Sequence, residues 1–233
     1  MDNSEGPASL RSDTSRSEAF SDGVLAVIIT LLLLEIGPPE HEPGKLLAAL
    51  ADQWPLYLAT LTLFAYVAVV WLNHKAAFKR IRTMDRGPHW ANLVVLFATA
   101  LLPFPTAVVA DVIEAGNRTD EQTAVGLYAL IGALLCVSWL IFFHYLSQHP
   151  HLVEEDVHRG FFPAERTRDG AGGVLYAAAG LIGNLNSPLL AMAIFFVLPV
   201  FYAITSEGLY ELPGVGKRAS GSGRRQTDDR EGM

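Results

Sequence analysis

The stretch "RSEAFSDGVLAVIITLLLLEI", residues 16–36, decides the fold. It sets an arginine, a serine and an aspartate directly against an apolar run nearly long enough to cross a bilayer, whose hydrocarbon core takes about 20 helical residues. An unpaired carboxylate at that depth is costly, so Asp22 needs a donor, a cation or water. Working outward, the same apolar character recurs along the chain: 51% of the 233 residues are hydrophobic and only 18% are charged, with a mean hydropathy of +0.29. This balance is that of an all-α integral membrane protein rather than a soluble domain.

Six stretches approach membrane-spanning length, at residues 19–36, 54–72, 90–112, 123–146, 172–185 and 188–205. The fifth has the weakest hydropathy, because it is rich in Gly and Ala, a composition that suits close helix packing. "GNLNSP" at 183–188 reads as a tight turn into the sixth, with Pro188 tolerated at a helix start. Pro103 and Pro105 are expected to kink the third. Lys75, Lys79, Arg80, Arg82 and Arg86 crowd the second connection, whereas the first and third, around "EIGPPEHEPGK" and "DVIEAGNRTDE", are mainly acidic. By the positive-inside rule the second connection is cytoplasmic, and so are both termini of a multi-pass protein of the cell membrane. The fourth connection falls on the same side with Arg159, Arg166 and Arg168. The domain reading is a flexible cytoplasmic N-terminus over 1–15, a six-helix transmembrane domain over 16–208 and a flexible cytoplasmic tail over 209–233, solvated in composition. The first apolar run leads into further membrane-like segments and reads as retained rather than cleaved.

Several function classes drop out. A net charge of -7, with the basic residues confined to short loops, offers no footprint for nucleic acid. Cys136 is the single cysteine and lies in an apolar stretch, which excludes intramolecular disulfides and a cysteine metal cluster. His144, His149, His151 and His158 gather near "HPHLVEEDVH", which reads as a solvated loop in preference to a metal site. No nucleophile with a base, phosphate-binding glycine loop or zincin spacing appears, so neither an enzyme nor a cofactor is expected.

On the first helix, Gly23, Val27, Thr30 and Leu34 share one narrow stripe, at spacings of four, three and four. Thr30 is its one hydroxyl; it either bonds back to its own helix or faces a pore. Val24, Leu25, Ile28, Ile29, Leu32 and Leu33 flank the stripe and suit lipid or neighbouring helices. Glu35 at the outer end reads as a solvated helix end or an outer-mouth cation attractor. Arg16, six residues before Asp22, is a poor helical neighbour for it. Asn73 and His74 at the end of the second helix and Asn92 at the start of the third lie at about the same depth, which suggests a polar cluster tying three helices together. A helix cap by Ser21 or Asp22 is the plainer alternative and does not exclude the cluster.

These residues resemble the transmembrane protein 175 family of potassium channels. "RSEAFSD" matches the family's R-x-x-x-F-S-D signature, "WLNHKAAF" (71–78) is similar to its W-x-x-H-H-x-x-F, and "NLVVLFATALLPFPT" (92–106) is similar to its third-helix pattern ending in L-P-F-P-T. The second histidine of the usual pair is Lys75 here. The resemblance implies a potassium-permeable channel without a filter loop, lined by the first helix. Since "FSD" occurs once, it also implies a homotetramer in membrane lipid, with potassium the permeant ion. By position, the resemblance puts the selectivity threonine at Thr30 and an apolar constriction at Val27, with Leu34 further along the pore wall. It implies a hydrogen-bonded cluster of Arg16, Ser21, Asp22, His74 and Asn92 behind the pore. A proton leak and a non-conducting membrane scaffold are the alternatives.

Overall fold

A computed structural model describes residues 7–34, 36–158 and 160–205. Glu35, Arg159 and the expected tail over 209–233 lie outside the described residues. Eight α-helices are described: α1 (Pro7–Leu34), α2 (Leu46–Asp52), α3 (Trp54–Phe78), α4 (Arg86–Ala100), α5 (Pro103–Ala115), α6 (Arg118–Gln148), α7 (Phe161–Leu185) and α8 (Pro188–Thr205). Helix α1 starts at Pro7.

Local sequence explains most of the breaks. The expected third span is two helices, because Pro103 and Pro105 have no N–H to continue the ladder. The chain turns at Leu101 and Leu102, where Leu102 N–H bonds Thr99 O at 3.1 Å and Phe104 N–H bonds Leu101 O at 3.2 Å. Helix α4 is capped by Asp85, which accepts from Gly87 N–H at 2.9 Å, and α6 by Asn117, which accepts from Thr119 N–H at 2.9 Å. Gly116 closes α5 with φ 67°, a left-handed conformation open to glycine at little cost. Helix α7 begins at Phe161, eleven residues before the apolar stretch that marked it in the sequence.

Four helical stretches are long and apolar enough to cross a membrane: Thr14–Leu34, Trp54–Phe78, the α4–α5 pair over Arg86–Ile113, and Arg118–Gln148. The sixth expected segment contributes the shorter apolar run Leu190–Ile204, and α7 carries Glu165, Arg166, Arg168 and Asp169 in its first turns.

Helix α6 is the hub and packs against α4, α5, α7 and α8. Its approach to α7 is close because α7 presents glycines: a Cβ on Gly180 would meet Ala129 Cβ at 2.8 Å, and one on Gly183 would run into Val125 Cγ1. An aromatic column of Phe78, Phe142, Trp139 and Phe143 fills the core towards the α3–α4 turn. That turn is tied to the α6–α7 connection by Arg82 N–H to Leu152 O at 2.8 Å and Glu154 N–H to Arg80 O at 3.0 Å. Helix α1 sits on the outside of this body, against α3 and α4.

Candidate functional site

Helix α1 has two faces. Ser21, Leu25, Ile28 and Leu32, again at spacings of four, three and four, are buried against α3 and α4. Gly23, Val27, Thr30 and Leu34 point the opposite way and are exposed, Val27 at 55% and Leu34 at 78%. Only 22% of this span is buried, against 39%, 50% and 56% for the other three. The apolar stripe is therefore the least covered part of a spanning helix, and something other than this subunit's body must lie against it. Thr30 Oγ1 donates to Val27 O at 2.9 Å, the local back-bond weighed from the sequence. That bond uses the hydroxyl hydrogen and leaves the oxygen's lone pairs free to accept.

Behind the stripe, three of the five support residues meet. Asn92 Nδ2 donates to Ser21 Oγ at 2.9 Å, Ser21 Oγ donates to Ser17 O at 2.8 Å, and His74 Nε2 lies 2.9 Å from Asn92 Oδ1. All three side chains are buried. A carbonyl oxygen only accepts, so His74 Nε2 carries the proton and the imidazole is held as the Nε2–H tautomer. The ring is stacked on Phe78 at 4.2 Å and edge-on to Trp139 at 6.2 Å. Its Nδ1 is buried with no hydrogen-bond partner among the described residues. The result is a directed chain from α3 through α4 to α1.

Asp22 and Arg16 stand outside that chain. Ser21 faces the α3–α4 groove, and the next residue lies about 100° further round the helix, so Asp22 is exposed. Its partner is Trp71, whose Nε1–H donates to Asp22 Oδ1 at 2.9 Å. The sequence pointed to Asn73 or His74 on the second span and to Asn92 on the third. Trp71, which opens "WLNHKAAF", fills the role instead. Lys75 Nζ sits 5.1 Å over the Trp71 ring, so the residue that replaces the second histidine braces the indole holding Asp22. Arg16 is exposed beside Ser17, Phe20, His89, Asn92 and Leu93, and among the described residues no hydrogen bond joins it to the other four support residues. Asn73 faces a separate small cavity with Tyr66 and Tyr202.

The loop histidines do not assemble: His149 Nδ1 donates to Tyr145 O at 2.8 Å, and no group of three His, Cys, Asp or Glu side chains is placed to hold a metal among the described residues. Cys136 is buried, with Sγ 3.1 Å from Tyr202 Oη.

Comparison with known proteins agrees with this geometry. The model of the family described as the endosomal/lysosomal potassium channel TMEM175 matches residues 16–103, which include α1, α3 and α4 apart from the start of α1. A potassium channel of Streptomyces collinus is 32% identical over 191 residues, 82% of this chain and 91% of that one. The human endosomal/lysosomal proton channel TMEM175 is 36% identical over 97 residues, 38% of this chain and 19% of that one. The crystal structure of a lysosomal potassium-selective channel TMEM175 homologue from Chamaesiphon minutus superposes with a TM-score of 0.71 at 32% identity, covering 83% of this chain and 97% of that one. With a relative matched over nearly its whole length and a shared fold, the chain belongs to the TMEM175 family of ion channels.

Proposed function

We propose that the chain is one subunit of a passive potassium channel in which the exposed stripe of α1 from four copies lines the pore. The observation that carries this reading is the unburied stripe itself, which bears one hydroxyl at Thr30 opposite a fully packed face. Six crossings, with both termini cytoplasmic, accord with the charge pattern of the connections. Four Thr30 oxygens facing an axis would replace part of an ion's water shell, and a ring of Val27 one turn below would gate by dewetting. No enzyme chemistry enters, and potassium is the permeant species rather than a cofactor. The Ser21–Asn92–His74 chain and the Trp71–Asp22 bond hold the rotation and depth of α1, while Arg16 lies at the cytoplasmic rim.

The test is ion flux in liposomes holding the purified protein, under potassium, sodium and proton gradients in turn, for wild type and Thr30→Ala. Flux that prefers potassium in wild type and loses that preference in Thr30→Ala supports the reading. The name of the human relative favours a second one, proton conduction. It is upheld if the reversal potential follows the pH gradient and ignores potassium. No flux under any gradient leaves either a pore closed at Val27 or a membrane scaffold.

A further inference from the structure

We propose that Asp169 is a proton-binding site, set where α7 meets α6 and α8 and charged or neutral according to the pH of the water at the α6–α7 connection. The reading of α1 as a pore plays no part in the argument. Asp169 lies one turn before Gly172, where the apolar part of α7 begins, and is only 3% exposed. Its Oδ2 is fully buried with no hydrogen-bond partner among the described residues. It faces a cavity of about 20 Å³, lined also by Asn73 and Tyr66 of α3, Cys136 of α6, Arg168 of α7 and Tyr202 of α8. A cavity of that size has room for about one water molecule.

Charge counting decides what the site takes. Among the described residues Arg168 is the one cation lining the cavity; both of its Nη atoms are engaged, while its buried Nε has no hydrogen-bond partner. One Nη is 3.1 Å from Glu165 Oε1 and the other is in contact with Glu165 Oε2, in a pair that is itself buried. Asp169 thus sets a second carboxylate beside a guanidinium whose two Nη atoms already face Glu165, in a space with a single water's worth of solvent. A buried charge of that kind is relieved by binding a proton. The other titratable groups facing Asp169 are Glu165 on its own helix, the Cys136 thiol from α6 and the Tyr202 hydroxyl from α8. None of them brings a positive charge. Burial is the largest effect on Asp169 and lifts its carboxyl to about 7, with Arg168 pulling it down and Glu165 pushing it up. The tight fit of the helices gives the proton a structural consequence, because a Cβ added at Gly172 would run into Tyr202 Oη and lie 3.3 Å from Cys136 Sγ. Ionising Asp169 places a charge one turn from this junction of three helices.

The experiment is infrared titration of the purified full chain, following the carbonyl band of protonated carboxyl groups from about pH 5 to about pH 9. Wild type is expected to show a band that disappears near pH 7. The band should be missing in Asp169→Asn, or in Asp169→Ser if the first variant does not fold, and should persist in Glu165→Gln. A band unchanged in both Asp169 variants, one lost only in Glu165→Gln, or no titrating band at all overturns the assignment. Potassium flux on the same preparations keeps the two readings apart: a titrating band without flux counts against the pore reading of α1 and leaves the proton site standing.

Discussion

Replacing Asn92 by alanine tests the chain that seats α1. Asn92 links two helices through one donor and one acceptor, at 2.9 Å each. Its removal leaves the His74 Nε2–H buried and unpaired, a loss of about 1–3 kcal/mol. It also removes the bond to Ser21, and interhelical hydrogen bonds in membranes average about 0.6 and reach about 1.7 kcal/mol. The Ser21 hydroxyl keeps its acceptor at Ser17 O, so no further donor is stranded. The sum is about 1.6–4.7 kcal/mol, built from those two ranges. The assay is denaturant unfolding in detergent of wild type, Ser21→Ala, Asn92→Ala and the double variant. Because both single variants break the same bond, the double variant should cost less than their sum by about 0.6–1.7 kcal/mol. Strict additivity, or a cost for Asn92→Ala below about 0.5 kcal/mol, would refute the chain as the seat of α1.

Trp71→Phe removes the indole donor to Asp22 at an exposed site, so the same unfolding assay should read a loss of about 0.5–1.5 kcal/mol, smaller than that of Asn92→Ala. Asp22→Ala should behave alike, lowering tetramer yield on size-exclusion chromatography and leaving permeability ratios as they were. Gly183→Ala forces a methyl between Val125 and Ala191 and should cost about 1–3 kcal/mol by overpacking, with a matching drop in thermal midpoint. For Asp169, the folded carboxyl binds its proton more tightly than the ordinary value of 3.8 allows. Stability is therefore full below about pH 4 and falls as pH rises towards 7, and thermal midpoints in Asp169→Asn should lack that fall.

Four of the six expected spans were legible because membrane-spanning length and apolar character are written directly in composition. The start of α7 was not, since Phe161 to Ala171 carries four charged side chains whose burial depends on α6 and α8 rather than on any local pattern. The two faces of α1 were readable from spacing, and Ser21, His74 and Asn92 from depth. The Trp71–Asp22 bond was hidden for a geometric reason. Adjacent residues on a helix point about 100° apart, so Ser21 and Asp22 cannot both enter the groove, and the sequence does not say which one does. The proton site was missed because Asp169 sits beside arginines that, in sequence, look like sufficient counter-charge.

The same geometry explains why a polar chain, rather than the leucines, must set the direction of the exposed α1 stripe. Lipid tails are as apolar as Leu25, Ile28 and Leu32, so turning these residues out of the α3–α4 groove forfeits packing but little solvation energy. Ser21 and Asp22 differ, because each has one partner in one direction. A turn of α1 by one residue, about 100°, breaks both the Asn92–Ser21 and the Trp71–Asp22 bonds, at a combined cost of about 1–3 kcal/mol. That suffices to bias the helix roughly fivefold to 150-fold towards the orientation that carries Val27, Thr30 and Leu34 away from the body. Loss of either bond alone should therefore lower the yield of assembled tetramers while leaving their permeability ratios as they were, and loss of both should abolish assembly before it alters selectivity.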